Sequence, residues 1–543
     1  MGSIETVDIL IVGAGPVGLT LALDLGRRGI RSTIVERDAS TESELHAKAS
    51  VIDERTMEFC RLLGIRDDVA HAGYPDDLPG DTVFCTAMNG HFIGRLVMPS
   101  AATREVPKQS AEVLRRCPQI WFDPVIARAV QRQGMAEIRY STELVRCDQD
   151  ADGVVCHLRR VSDNASDAVR ARYVVACDGA SSIVRKSLGI SFDGKDLGYA
   201  ISSIVRVHLQ KHHDWIPAER FMFIGPDGTW GNFTTIDGRA LWRFSVVGGK
   251  EKKDLSTFDI DGLLRKALGT DDVEYEVIKT VQWRRSQYTA EKYHQGRIFL
   301  AGDAAHTMSP TGGHGLNTGV GDVMGLSWVL QSLLEGWGGP GLVDAYTTER
   351  RPIALRNGAG STRNFSIWIN SNGRDKVLDS GPEADEQRRA LGDNMAANMR
   401  QEFQSLGLAL GYNYSESPLI VPDGSPAPLD DPEIYMQTAR PGHRAPHYWL
   451  SEGRSTIDLF GGGFVLLCFG DKTEGDAEIE VLAKKLSIPF ETASIKNSDV
   501  AKLYDRRLVL VRPDGMVAWR GDVLPEDVQG LLDQVRGVSA LTK

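Results

Sequence analysis

The stretch of residues 296–330, GRIFLAGDAAHTMSPTGGHGLNTGVGDVMGLSWVL, combines a short apolar run, a glycine-rich loop and a long apolar helix. Residues 298–301 are typical of a buried strand, and Asp303 follows at the strand end, where open α/β sheets bind ligands. The loop carries Pro310 and several glycines, and Asn317 leads into the helix. The glycines alone also fit an ordinary strand–loop–helix turn. Because an acid at the strand end precedes them, and a helix N-terminus favours negative charge, the stretch predicts a cradle for a redox cofactor.

The N-terminus carries a second ligand-binding pattern. Residues 7–12 (VDILIV) are an apolar run that leads into a G-x-G-x-x-G turn, an amphipathic helix and a second strand that ends at Glu36. In this setting Gly13 permits a tight turn, Gly15 admits a pyrophosphate, and Gly18 lets the helix pack on the strand. Glu36 is placed to accept hydrogen bonds from a ribose. Arg37 either faces a 2′-phosphate or is simply solvated beside this acid.

A third predicted strand, residues 173–176, repeats the arrangement seen at Asp303. Asp178 follows its end, and a turn and a helix with Arg185 come next. Two acids at strand ends, together with one glycine fingerprint, are difficult to attribute to chance. They predict a single cofactor site at the carboxyl edge of a parallel sheet.

Composition limits the class of protein. A chain of 543 residues predicts more than one domain, and its net charge of −11, without a basic stripe, argues against nucleic-acid binding. The seven cysteines are scattered and form no C-x-x-C pair, so we expect reduced thiols in a cytoplasmic enzyme rather than a disulfide framework or a metal site. The N-terminus lacks a signal-peptide pattern, and no apolar run is long enough for a membrane span.

Two stretches outside the parallel pattern predict a second sheet. Residues 81–95 and 200–247 contain short β-branched and aromatic runs separated by Asn-Gly and Asp-Gly turns, which indicate antiparallel strands interleaved with the nucleotide-binding fold. Residues 344–352 look helical and charged. Beyond a Pro- and Asp-rich linker at 424–432, residues 441–543 alternate strands with helices and predict a small α/β sandwich.

Three motifs together resemble the single-component FAD-dependent aromatic hydroxylases, in the branch of phenol hydroxylase and para-hydroxybenzoate hydroxylase. They are G-x-G-x-x-G with Glu36, D-G-x-x-S-x-x-R at residues 178–185, and GDAAH with P-T-G-G-x-G-x-N at residues 302–317. Residues 441–467 are similar to the thioredoxin-like extension of the phenol hydroxylase branch. The resemblance covers nearly the whole chain.

The resemblance implies an α/β fold with a Rossmann-like FAD-binding domain, an interleaved mixed or antiparallel substrate sheet, and a C-terminal thioredoxin-like domain. We assign the discontinuous FAD-binding domain to residues 1–80, 110–190 and 295–370, and the substrate domain to residues 81–109 and 191–294. A helical segment and linker then occupies residues 371–435, and the thioredoxin-like domain residues 436–543. The last has no C-x-x-C, so we expect it to serve in packing or dimer contact rather than in thiol chemistry.

The family also implies a reaction. NADPH or NADH reduces FAD, and the reduced flavin adds O₂ to form a C4a-hydroperoxyflavin that hydroxylates a small phenolic aromatic substrate. Baeyer–Villiger or epoxidising oxygenation of an aromatic polyketide-type substrate is the alternative among enzymes, and a non-catalytic flavin-binding regulator is the alternative in another class. A homodimer remains open.

Residue roles are carried over from the family motifs. The glycine turn and Glu36 hold the ADP half of FAD, while Asp178 and Arg185 serve FAD and passing NAD(P)H. The full set of cofactor-binding residues implied is Gly13, Gly15, Pro16, Val17, Gly18, Glu36, Arg37, Lys48, Arg55, Gln119, Asp178, Arg185, Gly302, Asp303, Pro310, Gly313, Gly315, Leu316 and Asn317. Of these, Gly313–Asn317 lie along the isoalloxazine ring, and the Pro310 carbonyl faces the substrate hydroxyl.

The chain departs from the family pattern around the ring and the substrate. His314 stands where relatives carry an aromatic residue or a lysine; a protonated imidazole would raise the flavin potential, and a neutral one would only shape the loop. In the resemblance, Ser50 and Ser245 align with the Asp and Tyr that assist phenol hydroxylase, which argues against a simple phenol as substrate. Arg243 and Tyr288 are further candidates for the catalytic pocket, with buried structural pairing as the alternative.

Overall fold

The computed structural model describes residues 4–42, 48–209, 216–369, 373–470 and 474–538. The strands, numbered in chain order, are β1 (Glu5–Val12), β2 (Ser32–Val35), β3 (Val51–Ile52), β4 (Thr82–Cys85), β5 (Phe92–Leu96), β6 (Arg115–Arg116), β7 (Ala136–Arg139), β8 (Thr142–Gln149), β9 (Val154–Arg160), β10 (Ser166–Ala176), β11 (Phe192–Val207), β12 (Arg220–Gly225), β13 (Gly228–Thr235), β14 (Leu241–Val247), β15 (Tyr275–Ala290), β16 (His294–Gln295), β17 (Ile298–Leu300), β18 (His306–Thr307), β19 (Trp449–Ser451), β20 (Arg454–Ser455), β21 (Phe464–Phe469), β22 (Phe490–Ile495), β23 (Leu508–Val511) and β24 (Val517–Gly521).

The helices are α1 (Pro16–Arg27), α2 (Glu54–Leu62), α3 (Arg66–Ala70), α4 (Gln119–Gln133), α5 (Ile183–Ser187), α6 (Ile260–Leu268), α7 (His314–Glu335), α8 (Gly341–Ile369), α9 (Pro382–Phe403), α10 (Leu406–Leu410), α11 (Glu474–Lys485), α12 (Ser498–Tyr504) and α13 (Val528–Val535). Among the described ranges, no helix has the length and apolarity that a membrane crossing requires.

The first sheet is the predicted parallel one. Its strand order is β16-β17-β10-β1-β2-β7, with the β8–β9 hairpin joined to β10, and β17, β10, β1 and β2 run parallel. The apolar residues of β1 are buried in a core that also contains residues of α1, α4, α7 and the hairpin. Because β1, β10 and β17 are neighbours, the glycine turn, Asp178 and Asp303 follow three adjacent strand ends. This arrangement confirms the predicted fold class.

The second sheet has the order β18-β15-β11-β14-β13-β12-β4-β5 and is antiparallel except between β4 and β12. Alternation along β14 directs Trp242 and Phe244 into an apolar core with α6, and Arg243 and Ser245 to the opposite face. That opposite face is covered by α8 and α9. The α9 backbone approaches β5 so closely that a Cβ added at Gly392 would lie 2.1 Å from the Ile93 carbonyl oxygen.

Two helices differ from their predicted limits. Helix α7 begins at His314, three residues before Asn317, so part of the predicted loop is its first turn. Helix α8 continues through Pro352 to Ile369 over 29 residues. A proline removes one backbone hydrogen bond and usually ends or kinks a helix, but here buried Ile353 and Ala354 hold the next turn in the core.

The C-terminal unit, residues 441–538, contains a four-stranded sheet of order β22-β21-β23-β24. The core on one face contains α11 and α13, and it also includes Trp328 and Trp337 from α7 and the loop after it. The other face packs against α12, which the sequence did not predict. The C-terminal unit therefore shares a hydrophobic core with the helix that begins at the glycine-rich loop.

Candidate cofactor and substrate site

The G-x-G-x-x-G turn is closely packed at two glycines and open at the third. Gly13 has φ +106°, and a Cβ added there would lie 2.5 Å from the Cys177 carbonyl oxygen at the end of β10. A Cβ at Gly18 would lie 2.0 Å from the Gly13 carbonyl oxygen, whereas one at Gly15 meets nothing within 4 Å. The turn therefore requires two glycines for packing and leaves open space above Gly15.

Glu36 closes the turn from the next strand. Its Oε2 accepts a hydrogen bond from the Ala14 N–H at 2.7 Å, and its Oε1 accepts one from the Asp38 N–H at 3.0 Å. The carboxylate thus lies at the carboxyl edge of β2, as predicted. Arg37 points to solvent, with Nε 3.7 Å from Asp38 Oδ1.

Asp303 lies in a 3₁₀ turn, Gly302–Ala304, directly after β17. A Cβ at Gly302 would lie 2.8 Å from a methyl carbon of Val17, so this turn packs on the first helix. The Asp303 side chain is exposed to solvent, yet the surrounding protein raises the pKa of its carboxyl, with His306 and then Lys48 acting in the opposite direction. The carboxylate therefore lies at the carboxyl edge of the sheet, beside His306 and Lys48.

Lys48 also faces a carboxyl that the sequence did not single out. Gln119 Nε2 donates to Asp123 Oδ2 at 2.9 Å, and burial raises the pKa of Asp123 to about 7 against the effect of Lys48. Asp123 Oδ1 is buried without a hydrogen-bond partner among the described residues. Lys48 thus acts on both Asp303 and Asp123, and Gln119 is hydrogen-bonded to Asp123. Asp123 was not among the predicted site residues.

Asp178 and Arg185 hold the edge of the sheet in place. Asp178 Oδ2 accepts from the N–H groups of Ile183 and Val184 at 2.9 and 3.3 Å, which caps α5, while its buried Oδ1 has no partner among the described residues. Arg185 Nη1 donates to the Ala304 carbonyl at 2.8 Å. Both side chains therefore order the site, and their contact with a cofactor stays a prediction.

The glycine-rich loop is fixed by Asn317. Its Nδ2 donates to the carbonyl oxygens of Gly313 and Val51 at 2.7 and 3.0 Å, and its Oδ1 accepts the Asp53 N–H at 3.0 Å. Pro310 is exposed, and its carbonyl accepts the Gly313 N–H at 3.1 Å. Gly315 and Leu316 are half-buried in the first turn of α7. The loop and α2 are thus joined by one amide side chain.

His314 is buried at the start of α7. Burial, with a further contribution from Arg356, lowers the pKa of its imidazole to about 4, and its Nε2 has no hydrogen-bond partner among the described residues. At neutral pH the ring is therefore uncharged. Of the two hypotheses for His314, the neutral residue that shapes the loop is the one this environment favours.

We expect His314→Gln to change how stability depends on acidity. Because the folded-state pKa lies below the unfolded value of about 6.5, the wild-type unfolded chain binds more protons as the pH falls, and stability is lost. As the pH falls from about 8 to about 5, the free energy of unfolding of wild type should decrease by about 2 kcal/mol more than that of the variant. Thermal or urea unfolding of both proteins at both pH values measures this, and parallel losses in the two proteins would contradict it.

Arg55 is directed away from the cleft. Its Nη2 donates to the Asp514 carbonyl at 2.9 Å, and its Nη1 lies 3.3 Å from Glu58 Oε2. Its Nε also donates to the Tyr412 hydroxyl at 3.5 Å, so the contacts of Arg55 are with the C-terminal unit, with its own helix and with Tyr412. Its predicted role near the cofactor phosphates is untested.

The buried polar face of the second sheet contains an arginine that the sequence did not reveal. Arg285, on β15, donates to the hydroxyls of Ser309 and Thr311 at 2.9 and 3.2 Å, and its guanidinium lies 4.0 Å from the ring centroid of Phe365. Among the described residues no carboxylate forms an ion pair with it. Burial, followed by the charge of Arg243, lowers its pKa to about 10. Arg285 is therefore a buried cation whose hydrogen-bond partners are neutral.

This face also includes hydroxyl groups and a second arginine. Ser245 and Ser202 share a hydrogen bond at 2.9 Å, and Trp283 Nε1 donates to Ser202 Oγ at 2.9 Å. Half-buried Arg243 lies on the same face, and burial, with Arg220 next, lowers its pKa to about 10. The hydroxyl at Ser245 is thus paired with a second hydroxyl, and Arg243 and Arg285 place two cations on this face.

Ser50 and Tyr288 have partners outside this hydroxyl cluster. Ser50 Oγ accepts a hydrogen bond from Arg116 Nη1 at 3.5 Å, and Arg116 is ion-paired with Glu219 at 2.7 Å. Tyr288 stacks on Phe192 with ring centroids 5.4 Å apart. Since alternate residues of a strand point to opposite faces, Tyr288 lies on the other side of β15 from Arg285. The structure therefore does not bring Tyr288 together with Arg243.

Comparisons with known proteins agree with this geometry. Residues 6–359 match a family model described as FAD binding domain, and residues 438–538 match one described as aromatic-ring hydroxylase, C-terminal. Tetracenomycin B2 monooxygenase-dioxygenase of Streptomyces olivaceus is 32% identical over 97% of this chain and 98% of the relative. The 2,4-dichlorophenol 6-monooxygenase of Delftia acidovorans is 29% identical, with 95% of each covered. The solved structure of chromopyrrolic acid-soaked RebC with bound 7-carboxy-K252c has a TM-score of 0.91 at 36% identity, covering 99% of this chain and all of that one.

Proposed function

Since the chain belongs to the FAD-dependent aromatic-ring hydroxylases, we propose that it hydroxylates a phenolic aromatic compound that carries a carboxylate, using O₂ and NADPH or NADH. Bound FAD supplies electron transfer and oxygen activation. The single observation that carries the choice of an acidic substrate is Arg285, a buried cation without a carboxylate partner among the described residues.

The residues at the sheet edge fit FAD. The open space above Gly15 can admit a pyrophosphate, and Glu36, at the end of the adjacent strand, is a carboxylate that can accept hydrogen bonds from a ribose. Asp178 and Asp123 each keep a buried carboxylate oxygen without a partner among the described residues, and the Asp303 side chain is exposed at the sheet edge. Buried polar atoms are normally hydrogen-bonded, so these unsatisfied acceptors support a ligand with hydroxyl groups.

The charges of the pocket favour an anion. Arg220 and Arg116 are ion-paired with Glu402 and Glu219, each at 2.7 Å, so these two cations are neutralised. Arg285 remains, and its lowered pKa reflects the cost of keeping a cation buried. A substrate carboxylate would offset that cost through a charge-assisted hydrogen bond.

The same charges suit the chemistry of a phenol. Positive charge stabilises a phenolate relative to the neutral phenol, and the ionised ring is more electron-rich and so more easily hydroxylated. Ser245, which aligns with a tyrosine of phenol hydroxylase, is hydrogen-bonded to Ser202. Ser50 stands where phenol hydroxylase has an aspartate, so this position offers no carboxylate base. We therefore propose that the positive charges of Arg243 and Arg285 favour ionisation of the substrate hydroxyl.

A paired substrate screen tests the proposed function. Aromatic hydroxy acids and their methyl esters are offered to the holoenzyme, and NADPH and NADH oxidation is followed together with product mass. We expect the acids to stimulate oxidation and to gain one oxygen on the ring, and the esters to be poorer substrates. Equal turnover of acids and esters would contradict the acidic substrate. Product structures with oxygen inserted between carbons would instead support the Baeyer–Villiger alternative.

A further inference from the structure

A buried arginine in the turn between β23 and β24, Arg512, contacts residues outside the C-terminal unit. Arg512 Nη1 and Nη2 donate to the two carboxylate oxygens of Glu349 at 2.6 and 2.8 Å, and Nη2 also lies 2.6 Å from Asp514 Oδ2. The side chain of Arg512 is fully buried. A bidentate arginine–carboxylate pair has a defined geometry, so it fixes the position of Glu349 on α8.

The next residue on α8 continues the connection to the sheet edge. Arg350 Nε donates to Asp322 Oδ1 at 2.8 Å. Asp322 Oδ2 accepts the Gly302 N–H at 3.0 Å and the His306 Nε2–H at 2.8 Å. Although burial opposes ionisation, His306 and Arg350 hold the pKa of Asp322 below its usual value. Two ion pairs thus separate Arg512 from the 3₁₀ turn that presents Asp303.

A second connection leaves the same turn and ends at the glycine-rich loop. The Asp514 carbonyl accepts Arg55 Nη2 at 2.9 Å, and Arg55 lies on α2. Asp53, which caps α2, donates its backbone N–H to Asn317, whose amide donates to the Gly313 carbonyl at 2.7 Å. The two connections therefore reach both loops of the predicted cofactor cleft.

Both connections run through the dry interior. Ile353, Tyr412, Tyr414, Ile420 and Met516 form a small apolar cluster between α8 and the C-terminal unit, and the Tyr414 hydroxyl accepts Arg350 Nη1 at 3.0 Å. Hydrogen bonds between charged groups are strong in such surroundings, and removing one member leaves its partner buried and uncompensated. A change at Arg512 should therefore displace its neighbours rather than be absorbed by water.

We propose that Arg512 is a positioning residue for FAD, through which the C-terminal unit holds the Gly302–Ala304 turn and the glycine-rich loop in their cofactor-binding geometry. The proposal rests on FAD binding by the family and is independent of the substrate class. It assigns the C-terminal unit a role in the cofactor site without any contact with the cofactor.

The test is the rate of FAD release from the holoenzyme, followed by the rise of flavin fluorescence after dilution. Arg512→Gln should release FAD at least about fivefold faster than wild type, the lower end of typical coupling between distant sites. Arg520→Gln is the matched control, because Arg520 is also a buried arginine of the same unit but pairs at 2.6 Å with Asp423, outside both connections. The control should lose stability and keep the wild-type release rate.

Hydrogen exchange gives a second readout that a purely local loss of stability would not produce. In the Arg512 variant, amides of residues 302–306 and 313–317 should exchange faster, while in the Arg520 variant only amides of the C-terminal unit should change. If Arg512→Gln does not fold, the double variant Arg512→Met/Glu349→Leu removes both charges of that pair, so that only Asp514 loses an ion-pair partner. Wild-type FAD release and unchanged exchange at both loops in a folded Arg512 variant, single or double, would overturn the proposal.

Discussion

Gly13→Ala is expected to give a folded protein that purifies without FAD. The new Cβ would lie 2.5 Å from the Cys177 carbonyl oxygen, a separation that real Cβ atoms do not adopt, so the turn must move away from β10. That shift changes the open space above Gly15 and the hydrogen bond from Ala14 to Glu36. Visible flavin absorbance relative to protein absorbance, with circular dichroism as the check on folding, measures the effect.

Gly29→Ala is the control that distinguishes the effect of the steric clash at Gly13 from the effect of a positive φ angle alone. Gly29 also has a positive φ, +79°, yet a Cβ there meets nothing within 4 Å. It should therefore suffer only the cost of a left-handed conformation, about 1 kcal/mol, and retain FAD. A yellow, folded Gly13→Ala protein with wild-type FAD affinity would show that the approach of the turn to β10 does not form the site.

Arg285→Met is expected to lower kcat/KM for an aromatic hydroxy acid by about 100-fold, equivalent to about 2.7 kcal/mol of lost interaction with a charged group. For the methyl ester of the same acid, the kcat/KM of the variant should fall only a few-fold. Because Arg285 also holds Ser309 and Thr311, a displaced loop would impair both substrates equally. The ratio of the two effects therefore isolates the recognition of charge.

Arg284→Met is the matched control for this experiment. Arg284 is the preceding residue of β15, but it is exposed, and its Nε lies 3.5 Å from Asp196 Oδ1 on the other face of the sheet. We expect its kinetics to stay within about twofold of wild type, as for most surface substitutions. Arg285→Lys should recover part of the activity on the acid. Equal losses on acid and ester in Arg285→Met would contradict an acidic substrate.

The fold and the cofactor side of the site could be predicted because their signals are local. A glycine turn between a strand and a helix, and an acid directly after a strand, each occupy a few consecutive residues, and parallel pairing places them at one edge. Gly13, Glu36, Asp178 and Asp303 were singled out in this way, and their contact with FAD stays a prediction. The hydrogen-bond partners of these residues within the protein could not be predicted. Asp178, for example, accepts a hydrogen bond from the first backbone N–H of α5.

The substrate side could not be predicted from local signals. Which face Arg285 occupies depends on the register of β15 against β11 and β18, and a shift of one residue would reverse it. Tyr288 was a reasonable candidate that this alternation places on the opposite face. Arg55 shows the same difficulty over longer range, because its partner Asp514 is 459 residues away in sequence.

Labelling with ¹⁸O₂ tests the central claim most directly, namely that FAD bound at this sheet edge activates dioxygen toward an aromatic ring. The holoenzyme is given NADPH and an aromatic hydroxy acid accepted in the screen under an ¹⁸O₂ atmosphere in unlabelled water, and the product is analysed by mass spectrometry. We predict that one oxygen atom of the product ring derives from O₂. A product oxygen that derives from water, or flavin oxidation that yields only hydrogen peroxide with every aromatic acid, would contradict the account.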